Sequence, residues 1–96
     1  MVAKNDVVTA SREIEGALWE FVHPADATAK VAVFEDESGY LRALIGSGGF
    51  KGMDMGERID RVWAYLRENV STEHMRFLYG VHPMDLDEYD AHVKEM

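Results

Sequence analysis

The chain contains no cysteine, which excludes disulfides, thiol catalysis and thiolate metal ligands from its own residues and suits a reducing compartment. No apolar run approaches the roughly 20 residues of a membrane-spanning helix. Met1-Val2-Ala3-Lys4-Asn5-Asp6 also lacks the apolar stretch of a secretory signal. A cytoplasmic protein with no membrane contact is therefore expected. Basic residues are scarce: 10 Lys and Arg stand against 18 Asp and Glu, a net charge of −8. The acids are spread along the chain, so the surface field repels nucleic-acid phosphates unless the few bases cluster. Repeats and low-complexity tracts are missing as well. With 47% hydrophobic and 29% charged residues the composition is that of a folded domain, not a disordered chain. Ninety-six residues suit one core. We expect a flexible tail over residues 1–8 and a single domain over 9–96.

Residues 10–22 place Ala10, Ile14, Ala17, Leu18, Phe21 and Val22 on one helical face, opposite Arg12, Glu13, Glu15 and Glu20. Thr9 is the expected N-cap, Trp19 falls on a flank, and His23-Pro24 ends the helix because proline disfavours helical geometry in the residue before it. Residues 29–34 read as a strand, 35–39 as a turn, and 40–45 as a second strand that is apolar on both parities and so more central. Four glycines then fall within Gly46-Ser47-Gly48-Gly49-Phe50-Lys51-Gly52, a density that signals positive φ or close chain approach. Asp54 and Glu57 fit a capping box for a helix over 55–69, with Ile59, Val62, Trp63, Leu66 and Val70 on its apolar face. Ser71-Thr72-Glu73 reads as a turn and 74–81 as a third strand, closed by His82-Pro83. A helix-length crossover between the second and third strands favours a parallel pair. Asp85 and Glu88 cap a last helix over 86–95. The expected fold class is α+β in the order α-β-β-α-β-α, a small three-stranded mixed sheet covered by helices.

Chemistry is harder to read than architecture. The glycine loop precedes a helix N-terminus, where backbone N–H groups favour an anion. It nevertheless lacks the lysine-serine or lysine-threonine pair of a phosphate loop, and Lys51 breaks dinucleotide spacing. Among the histidines, His23 and His82 precede proline, and Glu88 with His92 suits an ion pair. His74, expected to open the third strand, is the candidate ligand. No nucleophile, base and acid set can be assembled around Ser11, Ser38, Ser47 or Ser71, so no enzyme is expected.

Around the glycine loop the sequence resembles the BolA family. The family pattern of Phe-x-Gly followed six residues later by Arg, then Val and Leu at helical spacings, is matched by Phe50, Gly52, Arg58, Val62 and Leu66. Leu41-Arg42-Ala43-Leu44-Ile45-Gly46-Ser47 is similar to its second strand. Val33-Phe34-Glu35-Asp36-Glu37-Ser38 is similar to the end of its first. Glu73-His74-Met75 stands where the family has Val-His-Ala, and Leu86-Asp87-Glu88-Tyr89 where it has Thr-Pro-Glu-Glu-Trp. The match is divergent: Ile59 follows the helix Arg where the family has His, the loop 35–39 is short without His or Cys, and three extra residues separate His74 from the final aromatic.

The resemblance implies a KH-like α/β fold and a non-enzymatic partner or regulatory protein that works with a monothiol glutaredoxin in iron–sulfur handling. It implies no cofactor held by this chain alone, but a [2Fe–2S] cluster shared with the partner, with His74 as this chain's ligand and Phe50, Lys51, Gly52 and Arg58 as the partner-binding constellation. Such a cluster needs four ligands in all. Two alternatives stay open. One is a KH-like nucleic-acid-binding or transcription-regulating module using Gly49, Lys51, Gly52, Arg58 and Arg61. The other is a plain protein-interaction domain, including a homodimer through the hairpin edge or the Trp19 flank.

Overall fold

The structure is a computed structural model, and it describes residues 4–95. Helix α1 spans Lys4–Val22, strands β1 and β2 span Lys30–Glu35 and Leu41–Gly46, and helix α2 spans Met55–Asn69. A one-turn helix α3 (Thr72–Met75), strand β3 (Leu78–Met84) and helix α4 (Leu86–Lys94) complete the chain. Strand order is β1-β2-β3, with β1 and β2 antiparallel and β2 and β3 parallel. This is the expected α+β arrangement with α3 inserted.

Helix α1 buries Ala10, Ile14, Ala17, Leu18 and Val22, the face read from spacing. It begins earlier than expected: Val7 continues the stripe three residues before Ala10 and packs on the core, so residues 4–8 are helical and Thr9 lies inside the helix. The remainder of the anticipated tail, residues 1–3, lies outside the described residues. Trp19 packs its ring against His23, centroids 4.2 Å apart, at the helix end.

The hairpin turn is built by Asp36. Its carboxylate accepts from the Ser38 and Tyr40 amides at 2.8 and 3.1 Å, and Gly39 takes φ of 85°. Both parities of β2 are covered. Leu41, Ala43 and Ile45 face α1 and α2 with Val62, Leu66 and Val81, while Leu44 faces Met84 and Tyr89 on the α4 side. At Gly46 a Cβ would lie 2.7 Å from the Tyr89 ring, so α4 lies flush on the sheet at that point.

Two helix starts behave differently from each other. Asp85 and Glu88 form the reciprocal box expected for α4. Asp54 caps α2 through the Gly56 amide at 3.0 Å, but Glu57 turns to Arg61 at 2.9 Å instead of reaching back. The i,i+4 cation competes with the cap for that carboxylate.

The third strand needs the larger correction. It starts at Leu78, not His74, because Ser71 accepts from the His74 amide and nucleates α3. It also runs through His82-Pro83 to Met84. β3 is an edge strand, where a missing N–H costs no ladder bond.

Candidate functional site

The glycine loop leaves β2 and wraps into a 3-10 turn over Gly48–Phe50, capped by Ser47, whose hydroxyl accepts from the Gly49 amide at 3.2 Å. Phe50 is buried in the main core. Gly52 has φ of 80°, which only glycine adopts freely. Lys51 and Gly52 are exposed. Asp26 crosses over from the α1–β1 connection. Its carboxylate accepts from the Gly48 amide at 2.9 Å and the Ser47 hydroxyl at 3.3 Å. The Thr28 hydroxyl, then the Gly48 and Thr28 amides, lower its pKa to about 2. The Gly48 amide and the Ser47 hydroxyl, two donors that could cradle a phosphate, are therefore held by a carboxylate of the same chain, and the Gly49 amide is held by Ser47.

Arg58, read as a surface contact, is buried. Its Nε donates to the Met53 carbonyl at 2.9 Å, and its Nη1 donates to the Pro83 carbonyl at 3.3 Å and to Glu88 at 3.0 Å. One guanidinium thus joins the end of the glycine loop, the end of β3 and the first turn of α4, a use of the planar fork that lysine could not duplicate. Arg61 is exposed and paired with Glu57. Of the five residues expected to form a nucleic-acid surface, Gly49, Lys51 and Gly52 remain on the outside of the loop, while Arg58 is withdrawn and Arg61 is neutralised.

His74 lies at the other end of the sheet. Leu41 pairs with Leu78 and Gly46 with Met84, so the β3 start and the glycine loop are separated by the strand length, roughly 17 Å. The backbone opening β3 belongs to Phe77, whose carbonyl accepts from the Leu41 amide at 2.8 Å. His74 is anchored to α1: Nδ1 lies 3.0 Å from Glu13 Oε1, and its side chain is 20% exposed. The same Glu13 oxygen accepts from the Ser71 amide at 3.0 Å and the Ser71 hydroxyl at 3.2 Å. The Ser71 amide first, then His74, hold the Glu13 pKa below its usual value.

Ser71, His74 and Glu13 have the composition of a catalytic triad but not its wiring. Both the serine hydroxyl and the imidazole bond to the carboxylate, so the base does not touch the nucleophile. What the arrangement does is hold the His74 ring by Nδ1, a carboxylate–histidine pairing that fixes its orientation. Among the described residues no group of three or more His, Asp or Glu side chains could hold a metal ion.

Near the same sheet end, sequence reasoning missed a second cluster. Arg42 pairs with Asp36 at 3.1 Å and lies 5.2 Å from the centroid of the Tyr79 ring, which stacks 5.4 Å from Tyr40. Burial raises the Asp36 pKa, but the Tyr40 and Ser38 amides and Arg42 outweigh it and leave it lowered. His82, on the same strand, has its pKa lowered by burial first and by Arg42 and His92 next. The motif Asp36-x-Ser38 signals the turn locally. Nothing local signals that Arg42 and Tyr79 meet, since they sit on different strands.

Comparison with solved structures finds BolA1 from Arabidopsis thaliana, with a TM-score of 0.53 and 20% identity, over 79% of this chain and 88% of that one. No family model matches the chain, and a search of curated proteins finds no match. The likeness establishes a BolA-like α+β fold.

Proposed function

We propose that this BolA-like chain is a non-enzymatic partner or regulatory protein. The observation that supports the reading is the shared fold over most of the chain, combined with the use made of the Phe50, Gly52 and Arg58 pattern. Phe50 anchors the loop in the core, Gly52 supplies its positive φ, and Arg58 ties it to α4. These residues build the scaffold, and the partner contacts on this side come from Lys51 and the exposed backbone around Gly52.

The finer reading is partnership with a monothiol glutaredoxin in iron–sulfur handling. The Glu13–His74 bond favours it, because it orients one imidazole near the start of β3. The donor set does not suit a resident cluster: it offers His74 and no thiolate, and the hairpin carboxylate of Asp36 is already committed to two amides and Arg42. A [2Fe–2S] cluster would have to be shared, with three of its four ligands from outside this chain, from the partner and free thiols together.

The test is to mix the protein with a cluster-loaded monothiol glutaredoxin and follow co-elution and the visible spectrum, with His74→Ala alongside. Co-elution with a spectral change that is absent in His74→Ala is expected. Co-elution without a spectral change removes His74 as a ligand and leaves a protein partnership. No co-elution removes the glutaredoxin reading. A mixed oligonucleotide pool at low salt is expected to leave the protein unbound, since Asp26 holds the loop donors and Arg58 is buried. Salt-sensitive binding would instead restore the nucleic-acid reading.

A further inference from the structure

Between the C-terminal end of α2 and the short α3 the surface opens into a groove of about 450 Å³, lined by Trp63, Arg67, Val70, Thr72 and Met75. That volume falls in the range of small-molecule sites, roughly 300–1,000 Å³. The lining follows from helical spacing. Trp63, Arg67 and Val70 share one stripe at the end of α2, and Thr72 and Met75 share one on α3, so each helix turns a single face to the gap. Val70 is buried, and the half-buried Trp63 and Met75 pack on the main core, which makes the body of the groove apolar. Both walls are helices whose main-chain groups are already used: the Val70 amide donates to the Leu66 carbonyl, and the His74 and Met75 amides donate to the Ser71 carbonyl. The groove therefore offers no strand edge to a peptide main chain, and a compact molecule suits it better than an extended segment.

The one charged side chain in the lining is uncommitted. The Arg67 guanidinium lies 5.9 Å from the centroid of the Trp63 ring, and among the described residues no carboxylate pairs with it. The positions one helical turn away, Trp63, Ala64, Val70 and Ser71, include no acid. Arg58 and Arg61, by contrast, each hold a glutamate. Of the surrounding charges, Glu13 is taken up by Ser71 and His74, while Glu68, Glu73 and Arg76 adjoin lining residues in the sequence but do not line the groove. These act through water, whereas Arg67 acts at contact beside an apolar wall. We propose that the groove binds a small amphiphilic monocarboxylate. Its aromatic or branched body seats against Trp63, Val70 and Met75, and its carboxylate takes a charge-assisted bond from Arg67 with the Thr72 hydroxyl at its side. This ligand site is made of residues other than the glycine loop and His74, and it goes beyond the reading of the chain as a partner protein.

The experiment is an NMR titration of the whole chain with phenylbutyrate, and with phenylbutyramide, which keeps the shape and lacks the charge. The same titrations are run on Arg67→Gln and on Thr72→Asp, both altered at exposed positions. Expected are shifts of the Trp63 indole N–H and of the Arg67, Thr72 and Met75 amides, with a dissociation constant of the order of 1 mM and the Trp19 indole unmoved. Affinity falls roughly fivefold or more for the amide on the unaltered chain, and by as much for phenylbutyrate on either variant. Equal binding of the acid and the amide overturns the proposal, since Arg67 would then select nothing. So does an absence of shifts up to about 10 mM, or shifts spread over basic residues away from the groove. Unchanged affinity in Arg67→Gln overturns it as well.

Discussion

Replacing Arg58 separates its two possible roles. In Arg58→Ala the Met53 and Pro83 carbonyls lose their guanidinium donor, and Glu88 loses its cation. The Glu88 side chain is 46% exposed and rehydrates, so the ion pair itself counts for about 0–1 kcal/mol. The buried end is costlier: a carbonyl left without a donor costs about 1–3 kcal/mol, and the aliphatic stem takes packing with it. A net loss of about 3 kcal/mol is expected, which for a domain of this size lowers the melting midpoint by roughly 12–24 °C. Arg58→Lys keeps a charge but not the planar fork and should fall between the two. The assay is thermal unfolding by circular dichroism, with partner binding measured at a temperature where the variant is still folded. A melting point within about 4 °C of wild type would refute the clamp. If binding were lost at the same time, Arg58 would be a surface contact after all.

Gly46→Ala should destabilise by about 1–3 kcal/mol, because the new methyl overlaps the Tyr89 ring near its attachment, where it cannot swing away. In a Tyr89→Ala background the same change should cost little, and a double-mutant cycle by urea unfolding measures the coupling. Gly52→Ala should cost about 1 kcal/mol at its φ of 80°, whereas Gly16→Ala, in mid-helix with nothing within 4 Å, should stabilise by about 0.5–1 kcal/mol. Opposite signs in melting point check the pair. Asp26 has a folded pKa near 2 against 3.8 for the free group, so its stabilisation is fully present above about pH 4 and disappears as pH falls through 2. Asp26→Asn should flatten the acid limb of stability against pH over that window, and an unchanged limb would mean that the carboxylate does not hold the loop.

Local signals found what local physics builds. The α1 face from Ala10 to Val22, the Asp85–Glu88 box and the α2 bounds at Met55 and Asn69 all follow from spacing and caps within a few residues. The parallel placement of β3 beside β2 followed from the length of the crossover. The start of β3 was misplaced because Ser71, His74 and Met75 read equally well as a turn and strand. The tie is broken by Glu13, 58 residues from Ser71, which accepts its amide and hydroxyl. Glu57 left its box for the same kind of reason, a competing partner on the next turn.

The candidate site shows the same division. From the residues alone came the positive φ in the glycine loop and the interest of His74, since residue type and short spacing carry those, whereas Phe50 and Arg58 were singled out by the family resemblance, as partner contacts and not as the buried anchor and clamp they are. Tertiary structure decided what each does: Arg58 turned inward because three acceptors from three elements converge on it, and Asp26 filled the glycine loop from 22 residues away. It also set His74 and the loop at opposite ends of a parallel pair, and brought Arg42 over Tyr79 across two strands. Periodicity and capping act within a turn or two of chain, whereas a buried charge is assigned its partner only when distant segments close around it.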